Sequence, residues 1–142
     1  DNRIATAANF VGKTVLVPGN VALPDDTGAI SGAVDLPTDA TGLTLQITKE
    51  NGELVKSIDL GANSAGLVGF EWDGKDAKGN KVGASRYLVK ATMTAAGKQT
   101  AAGTDVFAPI TQATVGTSTA DQEFTVSGVG KVKLADIKSF KY

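Results

Sequence analysis

Apolar and polar residues alternate along most of this chain. In Leu43-Thr44-Leu45-Gln46-Ile47-Thr48 the odd positions are apolar and the even ones polar. Tyr87, Val89, Ala91 and Met93 repeat the pattern, with Arg86, Lys90, Thr92 and Thr94 largely on the other face. Val68, Phe70 and Trp72 share one parity, as do Ile58 and Leu60. Period-two alternation puts one face of each segment on a core and the other in water, which is the pattern of half-buried strands. Asn51-Gly52, Asp73-Gly74 and Gly79-Asn80 punctuate these runs at short spacing with residues suited to tight turns. The expected fold class is all-β.

The spacing predicts seven short strands between Ser31 and Asp105, near 31–36, 42–49, 53–60, 66–72, 81–83, 85–95 and 98–105. That number and spacing suit an immunoglobulin or fibronectin III-like sandwich, assigned to residues 31–105. On the N-terminal side, residues 13–23 read as a strand, a Pro18-Gly19 turn and a second strand. On the C-terminal side, strands are expected near 110–116, 122–127, 130–134 and 136–141. Neither flank is long enough to close a sheet alone. Together, residues 1–30 and 106–142 can close a small barrel with the sandwich inserted between its two segments, which leaves the fewest exposed edges. Ile4, Ala8 and Val11 lie at helical spacing in an Ala-rich stretch ending at Gly12, so a short N-terminal helix is expected, marginal alone and in need of a surface to dock on.

The stretch from Gly69 to Tyr87 is the most informative. A strand ends in Trp72, the only tryptophan; two turns follow, at Asp73-Gly74 and at Lys78-Gly79-Asn80. Gly83 lets the backbone enter the next strand, where Tyr87 is placed to bury its ring and return its hydroxyl to a neighbouring carbonyl. Burying a tryptophan removes roughly 150–250 Å² from water, a gross gain of about 4–6 kcal/mol as an upper estimate. Aromatics are only 6% of the chain, so Trp72 is expected to anchor the sandwich core.

Composition narrows the chemistry. The 42% hydrophobic and 20% charged residues of this 142-residue chain allow a packed core of Val, Leu, Ile and Ala. The net charge of -1, with fourteen Lys and Arg against fifteen Asp and Glu, lacks the basic excess of a nucleic-acid binder. The most basic group, Lys131, Lys133, Lys138 and Lys141, reads as a solvated strand face. Cysteine and histidine are both absent, which removes disulfides, thiolate nucleophiles, imidazole bases and Cys/His metal sites. Asp73, Asp76 and Asn80 present oxygens on a Gly-rich turn, but their spacing departs from a calcium loop and no bidentate Glu follows. Asp25-Asp26 reads as a turn beside Pro24, and Gly128-Val129-Gly130 lacks the helix that phosphate cradling needs. No catalytic, cofactor-binding or metal-ligating residue is therefore expected, and no cofactor. The apolar runs fall short of a membrane helix and no signal peptide is visible. A start at Asp1 without Met suggests a piece of a longer chain.

The string Trp72-Asp73-Gly74-Lys75-Asp76-Ala77-Lys78-Gly79-Asn80, continuing through Gly83 to Tyr87, resembles the signature of the immunoglobulin-like domain of flagellar hook-capping (hook assembly scaffold) proteins. Three further features are similar to that family, in the same order along the chain. They are Ala7-Ala-Asn-Phe-Val-Gly-Lys-Thr-Val15, the segment from Leu45 to Val55 followed by Ile58-Asp59-Leu60-Gly61, and the ending from Gly128 to Ile137. The resemblance implies an immunoglobulin-like sandwich inserted into a Tudor-like barrel, with no catalytic residues. It implies a scaffold at the distal end of the growing hook that helps exported hook subunits polymerise, its partners being hook protein and other copies of itself. In a Tudor-like barrel Phe10, Phe107, Phe124, Phe140 and Tyr142 could suggest an aromatic cage, yet their wide spacing within strands favours core packing. An extracellular adhesin or carbohydrate-binding sandwich is the alternative, and it requires Trp72 to face solvent.

Overall fold

The computed structural model describes residues 7–118 and 121–141. Eleven strands make up nearly all of its regular structure. β3 (Ile30–Leu36) pairs with β6 (Gly66–Trp72), while β4 (Gly42–Lys49) lies between β5 (Leu54–Asp59) and β7 (Tyr87–Ala95). All these ladders are antiparallel, and each buries alternate residues. Leu43, Leu45 and Ile47 of β4 and Val89, Ala91 and Met93 of β7 are almost wholly buried. They face Ile30, Val34, Leu36, Phe70 and Trp72 from the opposite sheet, so two sheets close one aliphatic core.

A second, smaller core is built by the two ends of the chain. β1 (Thr14–Pro18) pairs with β11 (Ser139–Lys141) on one edge and with β8 (Lys98–Thr114) on the other. β8 continues to β9 (Glu123–Val126), which pairs with β10 (Gly130–Lys133). A 3₁₀ turn, Leu134–Asp136, leads from β10 back to β11. The curled order β11-β1-β8-β9-β10 encloses Val15, Val17, Ala108, Ile110, Phe124, Val126 and Val132. This curl of strands drawn from both flanks of the sandwich is the small-barrel arrangement that the strand pattern predicts. The all-β sandwich-plus-barrel reading is thus what the molecule adopts.

Three details differ from the sequence reading. Residues 98–105 and 110–116 are not separate strands: β8 runs unbroken for 17 residues. Pro109 does not interrupt it, because proline's fixed φ is compatible with an extended backbone and only one donor is lost. The Pro109 carbonyl still accepts a bond from Ser127 N at 3.0 Å. Residues 81–83 form no strand. Gly79 and Gly83, both with positive φ, turn the backbone on either side, leaving one isolated bridge between Lys75 and Lys81. Finally, β2 (Val21–Ala22), the expected second strand after the Pro18-Gly19 turn, joins the sandwich rather than the barrel: it pairs with Tyr87 and Leu88 of β7, delivering Ala22 to the sandwich core.

The N-terminal helix is a single turn over residues 7–10 among the described residues. Its buried side is Ala7 and Phe10, one register away from the expected Ala8 and Val11 face; Val11 is 46% exposed. Phe10 sets that register by meeting Phe124 edge-on at 5.0 Å and stacking on Phe140 at 5.4 Å. Gly12 N then donates to the Ile110 carbonyl at 2.8 Å, passing the chain into β1. Ile4 and Tyr142 lie outside the described residues.

Candidate functional site

Two places concentrate the polar chemistry of the molecule. The first is the corner between β6 and β7. Trp72, 2% exposed, meets Tyr87 edge to face with ring centroids 5.1 Å apart. Each ring satisfies its polar atom on the intervening loop. The Trp72 indole N–H donates to the Lys75 carbonyl at 2.7 Å, and the Tyr87 hydroxyl donates to the Gly83 carbonyl at 2.8 Å. Burial of these tips without partners would be costly, so the loop and the core specify each other.

Within that loop the carboxylates are occupied by backbone. Asp73 accepts from Lys75 N at 3.0 Å, and Asp76 accepts from Lys78 N and Asn80 N at 2.9 and 3.0 Å. These are Asx-type turns, in which a side-chain oxygen closes the turn in place of a carbonyl. Among the described residues no group of three or more acidic side chains converges as a metal site would require. Gly74 has φ of 82° and lies so close to the 28–29 turn that a Cβ there would come within 2.5 Å of the Gly28 carbonyl oxygen. Gly79 and Gly83 share the positive φ but face open space. Opposite them, Asp25 caps its own turn by accepting from the hydroxyl and N–H of Thr27 and from Ala29 N. The Thr27 hydroxyl bond, followed by these backbone donors, holds the Asp25 carboxyl below its ordinary range.

The second place is the outer face where sandwich meets barrel. Val106, Ala108 and Ile110 of β8 point into the two cores, while Asp105 and Phe107 point the other way. Asp105 is only 1% exposed, yet it lies outside both apolar clusters. Its partner is Lys138, whose ammonium is 2.9 Å from Asp105 Oδ1 and 3.2 Å from Asp35 Oδ2. The hydrogen bond to Asp105 is the main reason that the Lys138 ammonium is held above its ordinary pKa, against some desolvation. Three residues on, the Lys141 ammonium donates to Ser31 Oγ at 2.8 Å and stands 5.3 Å from the centre of the Phe107 ring.

Two sequence readings gain detail. All four lysines are exposed, as the sequence reading has it, but Lys138 and Lys141 also reach partners on β3 and β8, brought near by the β11-β1-β8-β3 curl. Phe10, Phe124 and Phe140 pack in the barrel core, whereas Phe107 lies on the opposite face beneath Lys141. Trp72 is buried, so it supplies no aromatic platform for a glycan, and the adhesin reading loses its required feature.

The family model of the FlgD Ig-like domain matches residues 19–97, more than half of the chain. The crystal structure of FlgD from Xanthomonas campestris, a protein of the hook capping essential for flagellar assembly, superposes with a TM-score of 0.78. The two are 35% identical, and the match covers 99% of this chain and 100% of that one. This chain belongs to the FlgD family. FlgD from P. aeruginosa superposes with a TM-score of 0.80 at 26% identity, covering 93% of this chain and 98% of that one. In sequence, the basal-body rod modification protein FlgD of Escherichia coli K12 is 34% identical over 101 residues, 66% of this chain. The match spans 43% of the length of that E. coli FlgD. The family model begins at Gly19, so it takes in β2 as part of the Ig-like FlgD domain, in keeping with the pairing of β2 to β7.

Proposed function

We propose that this FlgD chain forms the folded part of a non-catalytic scaffold that caps the growing flagellar hook and promotes polymerisation of exported hook subunits. The observation that carries this reading is the end-to-end match to the Xanthomonas campestris FlgD of hook capping, which takes in both cores rather than the Ig-like part alone. The partners are hook protein and further copies of the same chain in an oligomeric cap, acting outside the cell at the distal hook end.

We further propose a functional division into a barrel from residues 1–30 and 106–142 and an inserted sandwich from 31–105. The two apolar clusters support two parts, although Ala22, Ile30 and Val106 fall in the sandwich cluster and Val129 packs against both. The test of the capping role is complementation. A strain lacking the gene that encodes this sequence should make no hooks, and restoring the gene should return hooks of normal form under the electron microscope. Normal hooks in the deletion strain, or no rescue by the intact gene, would remove the proposal.

A further inference from the structure

At Asp105 and Val106 the sandwich and the barrel share a strand over a very short length. β8 is flanked there by β3 on one side, through Ala33 and Gly32, and by β1 on the other, through Pro18 and Val17. Before this point β8 belongs to the sandwich, pairing with β7 from Lys98 to Ala102; after it β8 belongs to the barrel. Pro18, opposite Asp105, has no N–H to give to the ladder. The backbone contact is extended by Gly19 N donating to Thr104 O at 3.1 Å, by the Thr104 hydroxyl donating to Gly19 O at 2.7 Å, and by Val89 N donating to Asn20 O at 2.9 Å. A strand shared over so few residues can twist about its own axis, carrying one sheet relative to the other.

Across this waist lies one ionic contact, in which Asp105 is buried while Lys138 and Asp35 keep 28% and 51% of their side-chain exposure. Asp105 is set at the shared position itself, and Lys138 approaches it from the segment between the 3₁₀ turn and β11, where Lys138 N is bonded to Leu16 O at 2.8 Å. Its ammonium also reaches Asp35, which lies on β3 and so belongs to the sandwich. Among the described residues Asp105 Oδ2 has no hydrogen-bond partner, and Lys138 is the cation paired with this carboxylate withdrawn from water. We propose that Lys138 is a latch that fixes the angle between barrel and sandwich, by binding Asp105 and Asp35 at once across the shared strand. Removing it loosens the barrel against the sandwich without unfolding either core, leaving the Lys141–Ser31 bond and the packing of Val129 on both cores as the remaining ties. Buried ionic contacts of this kind are better suited to selecting one arrangement than to adding stability. The inference rests on the two-core division of the molecule and not on the capping role, so it stands or falls independently of hook complementation.

The chain has no cysteine, so labels can be placed at will. Glu50→Cys and Lys131→Cys, both on exposed positions, put one spin label on each part. Pulsed electron resonance should give a single narrow distance distribution in the parent and in a Lys98→Met control, which removes the same charge elsewhere. Lys138→Met should widen the distribution at least twofold while Trp72 fluorescence remains that of a folded sandwich. If loss of the lysine alone unfolds the protein by stranding Asp105, the double variant Asp105→Asn, Lys138→Met leaves no buried charge and should fold with the same widened distribution. A parent-like narrow distribution in the folded single or double variant overturns the proposal, as does equal widening in the Lys98→Met control.

Discussion

Trp72 and Tyr87 are positions where single atoms decide stability. Trp72→Ala removes the largest buried side chain of the sandwich, and changes of this type cost about 3–5 kcal/mol. The expected result is a Tm lowered by ten degrees or more, or outright loss of cooperative unfolding; an unchanged Tm would contradict the packing. Tyr87→Phe keeps the ring contact and strands the loop carbonyls, so about 0.5–1.5 kcal/mol should be lost in a denaturant titration. The two turn glycines give a sharper comparison. Gly74→Ala must move the Gly28 carbonyl and Gly79→Ala need not, so Gly74→Ala should be the more destabilising although both positions have positive φ. Equal Tm shifts for the pair would mean that φ strain alone matters. The sequence made this corner legible because aromatic and turn residues fall within one short stretch. The Asp105–Lys138 pair was hidden because its partners are far apart in sequence and nothing local marks an ion pair. The one signal was a carboxylate next to Val106 in an otherwise apolar-alternating strand.

At the scale of elements, alternation located the strands of the sandwich because each has one wet and one dry face. It located β8 less well, since that strand exchanges partners along its length and its buried face passes from one core to the other. Pairing partners were likewise beyond local pattern: β2 is two residues long and its attachment to β7 depends on tertiary packing. The approach of β3 to β8 is tight. A Cβ on Gly32 would come within 2.2 Å of the Asp105 carbonyl oxygen and within 2.9 Å of the Phe70 ring. Gly32→Ala should therefore separate these strands, seen as faster amide exchange along β3 and β8 than along β4 and β5; uniform exchange rates would argue against this. The C-terminal segment adds a pH dependence. The Lys138 pKa is raised in the folded protein, so its contribution is fully present below the ordinary lysine pKa of 10.5 and is lost as pH climbs through the raised value. The alkaline fall in Tm should be smaller in Lys138→Met than in the parent, and parallel profiles would show that the pair adds nothing.

For the whole molecule, the cut between parts is not where composition suggests. Ala22, Ile30 and Val106 all lie in the sandwich core, so a fragment of residues 31–105 should melt below one of residues 19–108 when both are followed by Trp72 fluorescence. Equal melting would show that β2 and the end of the shared strand are dispensable. The barrel gives the complementary case, because its strands come from segments on either side of the sandwich and pairing them carries a loop-closure cost that a folded sandwich lowers. β8 also settles how load passes between the parts. A linker would deliver a pull through a single peptide chain to whichever edge strand it joins, and that edge would peel one bond at a time. Here a pull along β8 runs straight through both sheets, and the ladders on its two sides are strained together in shear. The molecule is thus stiff along this one strand, as a shaft is.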